Sequence, residues 1–184
     1  ERWPGLRAPG AWDPFEMAVR AILGQQVSVK GARTLAGRLT ERFGESLEAD
    51  AKTSLSALFP TPEALADADI SNLGMPKARG RAIQSLAQAV CDDKVNFAPG
   101  VDVETLCATL VELPGIGDWT AQYIAMRALG APDAFPAADL GIIKALTTDE
   151  HKPTPRELTA RAEDWRPWRA YAVMYLWKSL ELNA

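Results

Sequence analysis

Apolar residues recur every three or four positions along most of this chain, and no segment alternates strictly between apolar and polar residues. The first spacing places side chains on one face of a helix, whereas strict alternation would indicate a strand. The clearest helical faces are Phe15, Val19, Ile22 and Leu23, and later Ala121, Ile124, Ala125, Ala128 and Leu129. The pattern predicts an all-α fold, a compact bundle of roughly eight to ten helices.

Short polar segments mark where these helices begin and end. Asp13 followed by Pro14 and, three residues on, Glu16 is typical of a helix start, because the Asp side chain caps free N–H groups and Pro fits the first turn. Similar starts are predicted at Ser28, Thr61, Asp102, Asp139, Thr154 and Pro167. Gly44 is the predicted end of the second helix.

One interruption differs from the others. Pro114-Gly115-Ile116-Gly117 cannot continue a helix, and it lies between two segments with helical spacing. Its glycines permit a tight turn with no Cβ in the way of an approaching partner. The helix that follows begins with free N–H groups, which can bind one phosphate. A single carboxylate, Asp139, comes soon after that helix.

Composition excludes several classes of protein. The 184 residues are 47% apolar and 24% charged, which is ordinary for a folded domain, and no apolar run reaches membrane-spanning length. No secretory signal is evident at Glu1, so we expect an intracellular protein. Cys91 and Cys107 form no CxxC pair, and His151 is the only histidine, which argues against zinc, iron–sulfur and histidine-based chemistry. We therefore expect no cofactor.

The net charge of −4 disfavours nucleic acid, but the distribution of charge matters more than its sum. Between residues 18 and 42 five cations face one acid, Glu41, and between residues 76 and 90 three cations face none. These cations are Arg20, Lys30, Arg33, Arg38, Arg42, Lys77, Arg79 and Arg81. A basic face for DNA and a mixed, solvated surface both fit this pattern.

Four blocks of sequence resemble a known family. The hairpin with the later Asp139 resembles the helix-hairpin-helix (HhH-GPD) DNA glycosylase superfamily. Three further blocks, at residues 21–28, 73–76 and 165–171, are similar to AlkA-type 3-methyladenine DNA glycosylases II, and the likeness runs from about Leu6 to Leu180. The resemblance implies two lobes with a cleft between them. It also implies that residues 1–184 form the catalytic domain, with the hairpin at 102–130 and without the family's N-terminal sheet-containing domain.

Asp139 matches the family's catalytic aspartate, which stabilises positive charge on the sugar as the base leaves. An alternative is that Asp139 caps the helix beginning at Leu140, and both roles can coexist. The family often has a second acid just before this position, where this chain has Ala138.

Three aromatic residues match positions in or beside the family's base pocket: Trp119, Tyr123 and Trp177. Bifunctional relatives carry a lysine at the position of Trp119, and a tryptophan cannot form their Schiff base, so the resemblance implies a monofunctional enzyme. Aromatic faces favour a cationic, N-alkylated purine. Packing in the core is the alternative role for Trp119.

The resemblance also assigns contacts with DNA. Gln26 matches the residue that fills the gap left by the extruded base, where the AlkA prototype has leucine; alternatively, Gln25 and Gln26 cap a helix end. The hairpin is expected to bind DNA through Pro114, Gly115, Ile116, Gly117 and Thr120. The carbonyls of Leu113 and Ile116 could hold a monovalent cation of structural importance.

The function implied is a monofunctional 3-methyladenine DNA glycosylase II, which hydrolyses the N-glycosidic bond of alkylated purines in double-stranded DNA and leaves an abasic site. Two alternatives are a helix-hairpin-helix module that binds DNA without chemistry, and a glycosylase for deaminated or mismatched bases. The expected protein is a monomer that binds DNA and no membrane, in the bacterial cytoplasm at the nucleoid.

Overall fold

The prediction of an all-α fold is confirmed. A computed structural model describes residues 3–48, 56–70 and 72–181. These ranges contain nine α-helices, one short 3₁₀ helix and a single isolated β-bridge between Ser46 and Ala57. The helices are α1 (Pro14–Leu23), α2 (Val29–Phe43), α3 (Pro62–Ala66), α4 (Lys77–Cys91), α5 (Val103–Glu112), α6 (Asp118–Ala128), α7 (Leu140–Leu146), α8 (Pro155–Ala162) and α9 (Arg169–Leu180). None of them is long and apolar enough to cross a membrane.

The helices fall into two compact units. Residues 13–117 form the α1–α5 unit, and residues 1–12 with 118–184 form the α6–α9 unit. In the first, α4 packs against α3 and α1, and α1 also contacts α2. In the second, α7 packs against α9. The largest fully buried side chains include Ile22, Leu39, Leu65, Ile83, Leu86 and Leu110 in the first unit, and Ile124, Met126, Ile142 and Leu158 in the second.

Most of the predicted helix starts carry the expected caps. The Asp13 side chain accepts a hydrogen bond from the Glu16 N–H at 2.8 Å, and the Ser28 hydroxyl accepts one from Gly31 at 3.1 Å. Thr154 and Glu157 form a reciprocal capping box at the start of α8. The prediction for Pro167 is wrong by two residues, since the last helix begins at Arg169.

Gly44 ends α2, but its backbone is not left-handed, with φ at −77°. A glycine is needed here because there is no room for a side chain. A Cβ at this position would lie 2.2 Å from the Leu58 carbonyl oxygen and 2.5 Å from that of Thr40. The chain after α2 therefore turns against its own backbone at a distance that only glycine allows.

This geometry predicts opposite effects for two glycines of the same region. Gly44→Ala should destabilise the fold by about 1–3 kcal/mol, because backbone must move to admit the methyl group. Gly37→Ala, within α2 and with open space around its Cβ position, should stabilise it by about 0.5–1 kcal/mol through higher helix propensity. Urea unfolding of both variants measures these changes, and equal effects of the same sign would contradict the steric explanation.

Candidate active site

The side chain of Asp139 accepts hydrogen bonds from three different helices of the α6–α9 unit. It precedes α7 as its N-cap, and its Oδ1 accepts the Ile142 N–H at 3.0 Å. The capping interpretation is therefore confirmed. Asp139 is only 9% exposed and is the one buried carboxylate among the described residues. A buried carboxylate is costly unless it is hydrogen-bonded, so its partners matter.

Two indole rings supply those partners. Trp177 of α9 donates from Nε1 to Oδ1 of Asp139 at 2.8 Å. Trp119 of α6 donates from Nε1 to Oδ2 at 3.1 Å. Each carboxylate oxygen thus accepts one indole N–H, and the side chain is fixed from two different helices. Hydrogen bonds to a charged acceptor are stronger than neutral ones, so this arrangement holds the carboxylate firmly.

Gly141, which the sequence analysis did not select, makes this arrangement possible. A Cβ on Gly141 would lie 2.9 Å from Cδ1 of Trp177, 3.0 Å from its Nε1 and 3.0 Å from Oδ1 of Asp139. Any larger residue would therefore compete with the Trp177–Asp139 hydrogen bond. The signal available in the sequence was a glycine in the first turn of a helix, a position where its low helix propensity needs a reason.

The segment before Asp139 is held in place by the rest of its unit. Ala131, Ala134, Phe135 and Ala137 are buried. The Phe135 N–H donates to the side chain of Gln122 at 3.0 Å. Asp133 forms ion pairs with Arg166 and Arg169, including a 2.8 Å contact from Arg169 Nε. This packing fixes the approach of the backbone to the carboxylate.

The three predicted pocket aromatics lie together beside the carboxylate. Trp119 and Tyr123 are stacked, with ring centroids 5.3 Å apart at 24°. Tyr123 and Trp177 are tilted at 6.3 Å. All three are half-buried. Arg127 donates to the Tyr123 hydroxyl at 3.3 Å and its guanidinium lies 5.8 Å from that ring's centroid. Aromatic surface and a fixed anion therefore occur in the same place.

The hairpin turn closes the α1–α5 unit. The Ile116 N–H donates to the Leu113 carbonyl at 3.1 Å, and Gly115 has φ +81°. Pro followed by left-handed Gly with this hydrogen bond is typical of a type II turn. The fold itself requires Gly115, because its Cβ would also lie 3.0 Å from that of Ala82. Gly117 differs, since nothing lies within 4 Å of its Cβ position, so the packing of the fold does not require a glycine there.

Two of the residues predicted to contact DNA have buried side chains. Thr120 is 3% exposed, and Ile116 is 4% exposed with its N–H donated to Leu113 within the turn. Their side chains pack into the fold, so their contact with DNA stays a prediction that does not rest on an exposed side chain. Pro114, Gly115 and Gly117 are exposed as predicted.

The turn that carries Gln26 is tied to the hairpin within the same unit. Gln25 donates from Nε2 to the Gly115 carbonyl at 3.0 Å, and Arg79 of α4 donates from Nη2 to the Gln25 carbonyl at 2.6 Å. Gln26 is exposed and has φ +54°, an uncommon backbone for a residue other than glycine. The side chain of Gln25 thus contacts the hairpin, while its backbone N–H donates to the Ile22 carbonyl at the end of α1 at 3.2 Å.

A comparison with protein families agrees with this architecture. The HhH-GPD superfamily of base excision DNA repair proteins matches residues 19–169, which is most of the chain. The chain belongs to this superfamily.

Individual relatives are more specific. The chain is 45% identical to a probable bifunctional transcriptional activator/DNA repair enzyme AlkA of Mycobacterium tuberculosis, over 97% of this chain and 36% of that protein. It is 42% identical to DNA-3-methyladenine glycosylase 2 of Escherichia coli, over 95% of this chain and 60% of that protein. The chain thus spans between about a third and three fifths of the length of these relatives.

Solved structures of similar fold include a 3-methyladenine DNA glycosylase of Schizosaccharomyces pombe in complex with abasic DNA. It has a TM-score of 0.74 and 25% identity, over 97% of this chain and 86% of that one. A 3-methyladenine DNA glycosylase from Archaeoglobus fulgidus has a TM-score of 0.76 and 26% identity, over 92% of this chain and 59% of that one.

The two indole donors can be tested separately from the aromatic surface. Trp177→Phe keeps a ring beside Tyr123 but removes the N–H that binds Oδ1. Asp139 would lose one of the two indole donors that hold it in place. Because misplacing a reacting group by about 1 Å can cost about 100-fold in rate, the variant should be about 10- to 100-fold slower in the base release proposed below. Single-turnover assays on methylated duplex DNA measure this rate.

The matched control is Trp165→Phe, since Trp165 packs edge-on against Phe135 at 5.9 Å and has no recorded contact with Asp139. Binding of an abasic-site duplex should change little in either variant. Equal rates for the two variants would contradict the role assigned to the Trp177 N–H.

Proposed function

We propose that this chain is the catalytic domain of a monofunctional DNA glycosylase, which hydrolyses the N-glycosidic bond of alkylated purines in double-stranded DNA. The observation that carries the proposal is the buried Asp139 carboxylate, fixed by two indole N–H groups beside three aromatic rings. Relatives named as 3-methyladenine glycosylases, and one solved in complex with abasic DNA, support the same substrate class.

In the proposed reaction the carboxylate acts by charge. As the bond between the sugar carbon and the base nitrogen breaks, the bonding electrons leave with the base and positive charge develops on the sugar. The fixed negative charge of Asp139 stabilises that cation. Water then adds its oxygen to the sugar carbon and releases one proton, so the products are the free base and an abasic site. An N-alkylated purine is already cationic and leaves as a neutral base without protonation.

The same contacts support hydrolysis in preference to a lyase reaction. A covalent lyase needs an amine close to the sugar to form a Schiff base. The side chains recorded on the carboxylate are indoles, from Trp119 and Trp177, and neither is a nucleophile of that kind. The strand should therefore remain intact after the base is released.

The preference for a base follows from the interactions that the three aromatic side chains can make with it. Ring faces stack on any base and attract a cationic one by about 0.5–2 kcal/mol. The indole N–H groups of Trp119 and Trp177 are already donated to Asp139, so they are not available to read the edge of a neutral base. A deaminated or mismatched base would need such donors and acceptors. This favours alkylated purines over the alternative of neutral lesions.

DNA would be held by the exposed part of the hairpin and by the Gln26 turn. We assign phosphate contact to the N–H groups of Gly115 and Gly117, and the space left by the extruded base to Gln26. The carbonyls of Leu113 and Ile116 would hold the monovalent cation. Neutral carbonyl oxygens suit such an ion, and the Leu113 oxygen, which accepts one hydrogen bond, retains a second lone pair.

The proposal includes a monomer in the bacterial cytoplasm, at the nucleoid. Its support is the bacterial origin of the two relatives from Mycobacterium tuberculosis and Escherichia coli, and the charge pattern described above.

Asp139→Asn tests the proposal directly. The Asn Oδ1 can still accept from Ile142 and Trp177, while its NH₂ group faces the Trp119 N–H and loses that bond. The fold should therefore survive with a loss of about 1–3 kcal/mol. Release of base should fall by at least about 100-fold, because the charge is gone.

The assay incubates full-length protein with duplexes containing 3-methyladenine, 7-methylguanine or hypoxanthine and measures free base. Asp164→Asn, an exposed acid in the 3₁₀ helix, is the matched control and should keep full activity. An active Asp139→Asn enzyme would overturn the mechanism. Absence of release by the wild type would leave only the DNA-binding module, and preference for hypoxanthine would favour the neutral-lesion alternative.

A further inference from the structure

A surface groove of about 650 Å³ lies in the α1–α5 unit, between α2 and the segment that leads into α4. Its lining includes Gln26, Lys30, Arg38, Gly74 and Arg79, together with uncharged residues of α2 and of the turns before α2 and α4. A second groove of about 430 Å³ shares Arg38 and Gly74 with the first. The two therefore adjoin each other along α2.

The charge of these grooves is strongly one-sided. Four cations line them, Lys30, Arg38, Arg42 and Arg79, against one acid, Glu41. No ion pair involves any of the four within the described residues, whereas Arg166 and Arg169 in the other unit are both paired. Uncompensated positive charge that lines a concave surface attracts anions.

Two of these cations are held in fixed positions. Arg38 donates from Nη1 to the Leu73 carbonyl at 3.1 Å, and Arg79 donates to the Gln25 carbonyl at 2.6 Å. The Nε of Arg79 is buried and has no hydrogen-bond partner among the described residues.

The N-terminal ends of α2 and α4 add to the positive potential of the grooves. The first turn of α2 and that of α4 line the groove, and neither contains an acidic residue. The first turns of α1, α3, α5, α6 and α8 each contain one, whereas those of α7 and α9 do not. Acids normally stabilise this positive end of a helix, so their absence from the two helices at the groove leaves its potential unopposed.

The length of the basic surface indicates a polymer. From Lys30 to Arg42 the helix rises about 18 Å, at ~1.5 Å per residue. A single phosphate group cannot contact both ends of that span, whereas one strand of DNA carries a charge about every 3.4 Å along its axis. A phosphodiester backbone fits both the spacing and the sign of these charges.

We propose that the joined grooves are a second phosphate-binding surface, which holds the DNA backbone beside the Gln26 turn independently of the hairpin. This rests on the proposed function in one respect only, namely that DNA is the partner. Lys30 and Arg42 are the binding residues best suited to a test, because both are exposed and neither side chain is recorded in a hydrogen bond within the described part of the chain.

The experiment compares Lys30→Gln, Arg42→Gln and the double variant with wild type, using fluorescence anisotropy of an undamaged duplex over a range of salt concentrations. Each lost phosphate contact lowers the slope of log K against log salt by about 0.9, so the double variant should lose close to twice that amount. Arg81→Gln is the matched control. Arg81 is an exposed cation of α4 that makes no ion pair among the described residues and does not line the grooves.

Slopes that fall equally in all variants, Arg81→Gln included, would overturn the proposal in favour of diffuse attraction. Complete competition by millimolar inorganic phosphate would also overturn it, since a small-anion pocket would then explain the charges. Unchanged melting temperatures exclude loss of the fold as the cause.

A methylphosphonate duplex locates the contact. Neutralising single phosphates next to an abasic site should weaken binding by wild type at one or two positions, and should have no further effect on Lys30→Gln at those positions. Additive losses at every position would contradict a direct contact.

The outcome is separable from that of the glycosylase proposal. Binding of undamaged DNA needs no catalysis, so the salt slope can be measured whether or not the wild type releases base, and Asp164→Asn should show the wild-type slope. If the double variant lowers the salt slope but the wild type releases no base, the DNA-binding surface is supported and the glycosylase proposal is rejected. If the wild type releases base normally but the slopes of the variants are unchanged, the glycosylase proposal is supported and this surface is rejected.

Discussion

The hydrogen bonds to Asp139 are the constraint on which the α6–α9 unit depends. One carboxylate caps α7, accepts an indole N–H from α6 and accepts another from α9. Removing water from a carboxylate is expensive, and these three donors offset that cost. The contact is therefore both a structural junction of three helices and the means by which a negative charge is kept in one orientation. Stability and chemistry depend on the same atoms.

The α1–α5 unit has its own junction, built from two side-chain donors and two backbone carbonyls. Arg79 holds the backbone of Gln25, and Gln25 holds the backbone of Gly115. The exposed Gln26 follows directly in the chain, so the hairpin turn and the Gln26 turn are positioned relative to each other by α4. A residue with φ +54° stays in that conformation only when its surroundings impose it, and this short chain of hydrogen bonds is the local cause.

The sequence was sufficient wherever a feature depends on neighbours in the chain. Helix caps at Asp13, Ser28 and Thr154 are local hydrogen bonds between residues three apart, and they are present as predicted. Features that depend on which way a side chain points were not predictable in this way. The tryptophans Trp119 and Trp177 were identified for their ring faces, but the sequence does not indicate that their N–H groups point at Asp139.

The hairpin shows the same limit. A turn motif does not reveal which of its residues face inward, and the sequence therefore did not indicate that the side chains of Ile116 and Thr120 are buried. The two glycines also have different causes. Gly115 is required by a left-handed backbone and by its distance from Ala82, and Gly117 by neither. Only the packing of α4 against the turn distinguishes them, and that packing is a long-range property.

The number of acceptor sites on Asp139 also bears on its chemistry. A carboxylate offers about four lone-pair positions, and three of them are occupied by donors from Trp119, Trp177 and Ile142. One position remains for a water or for the substrate. Activation of a water would have to use that one remaining position, whereas stabilisation of a cation requires only that the carboxylate be held in a fixed orientation. The three hydrogen bonds therefore fit the role proposed above for Asp139, stabilisation of positive charge on the sugar.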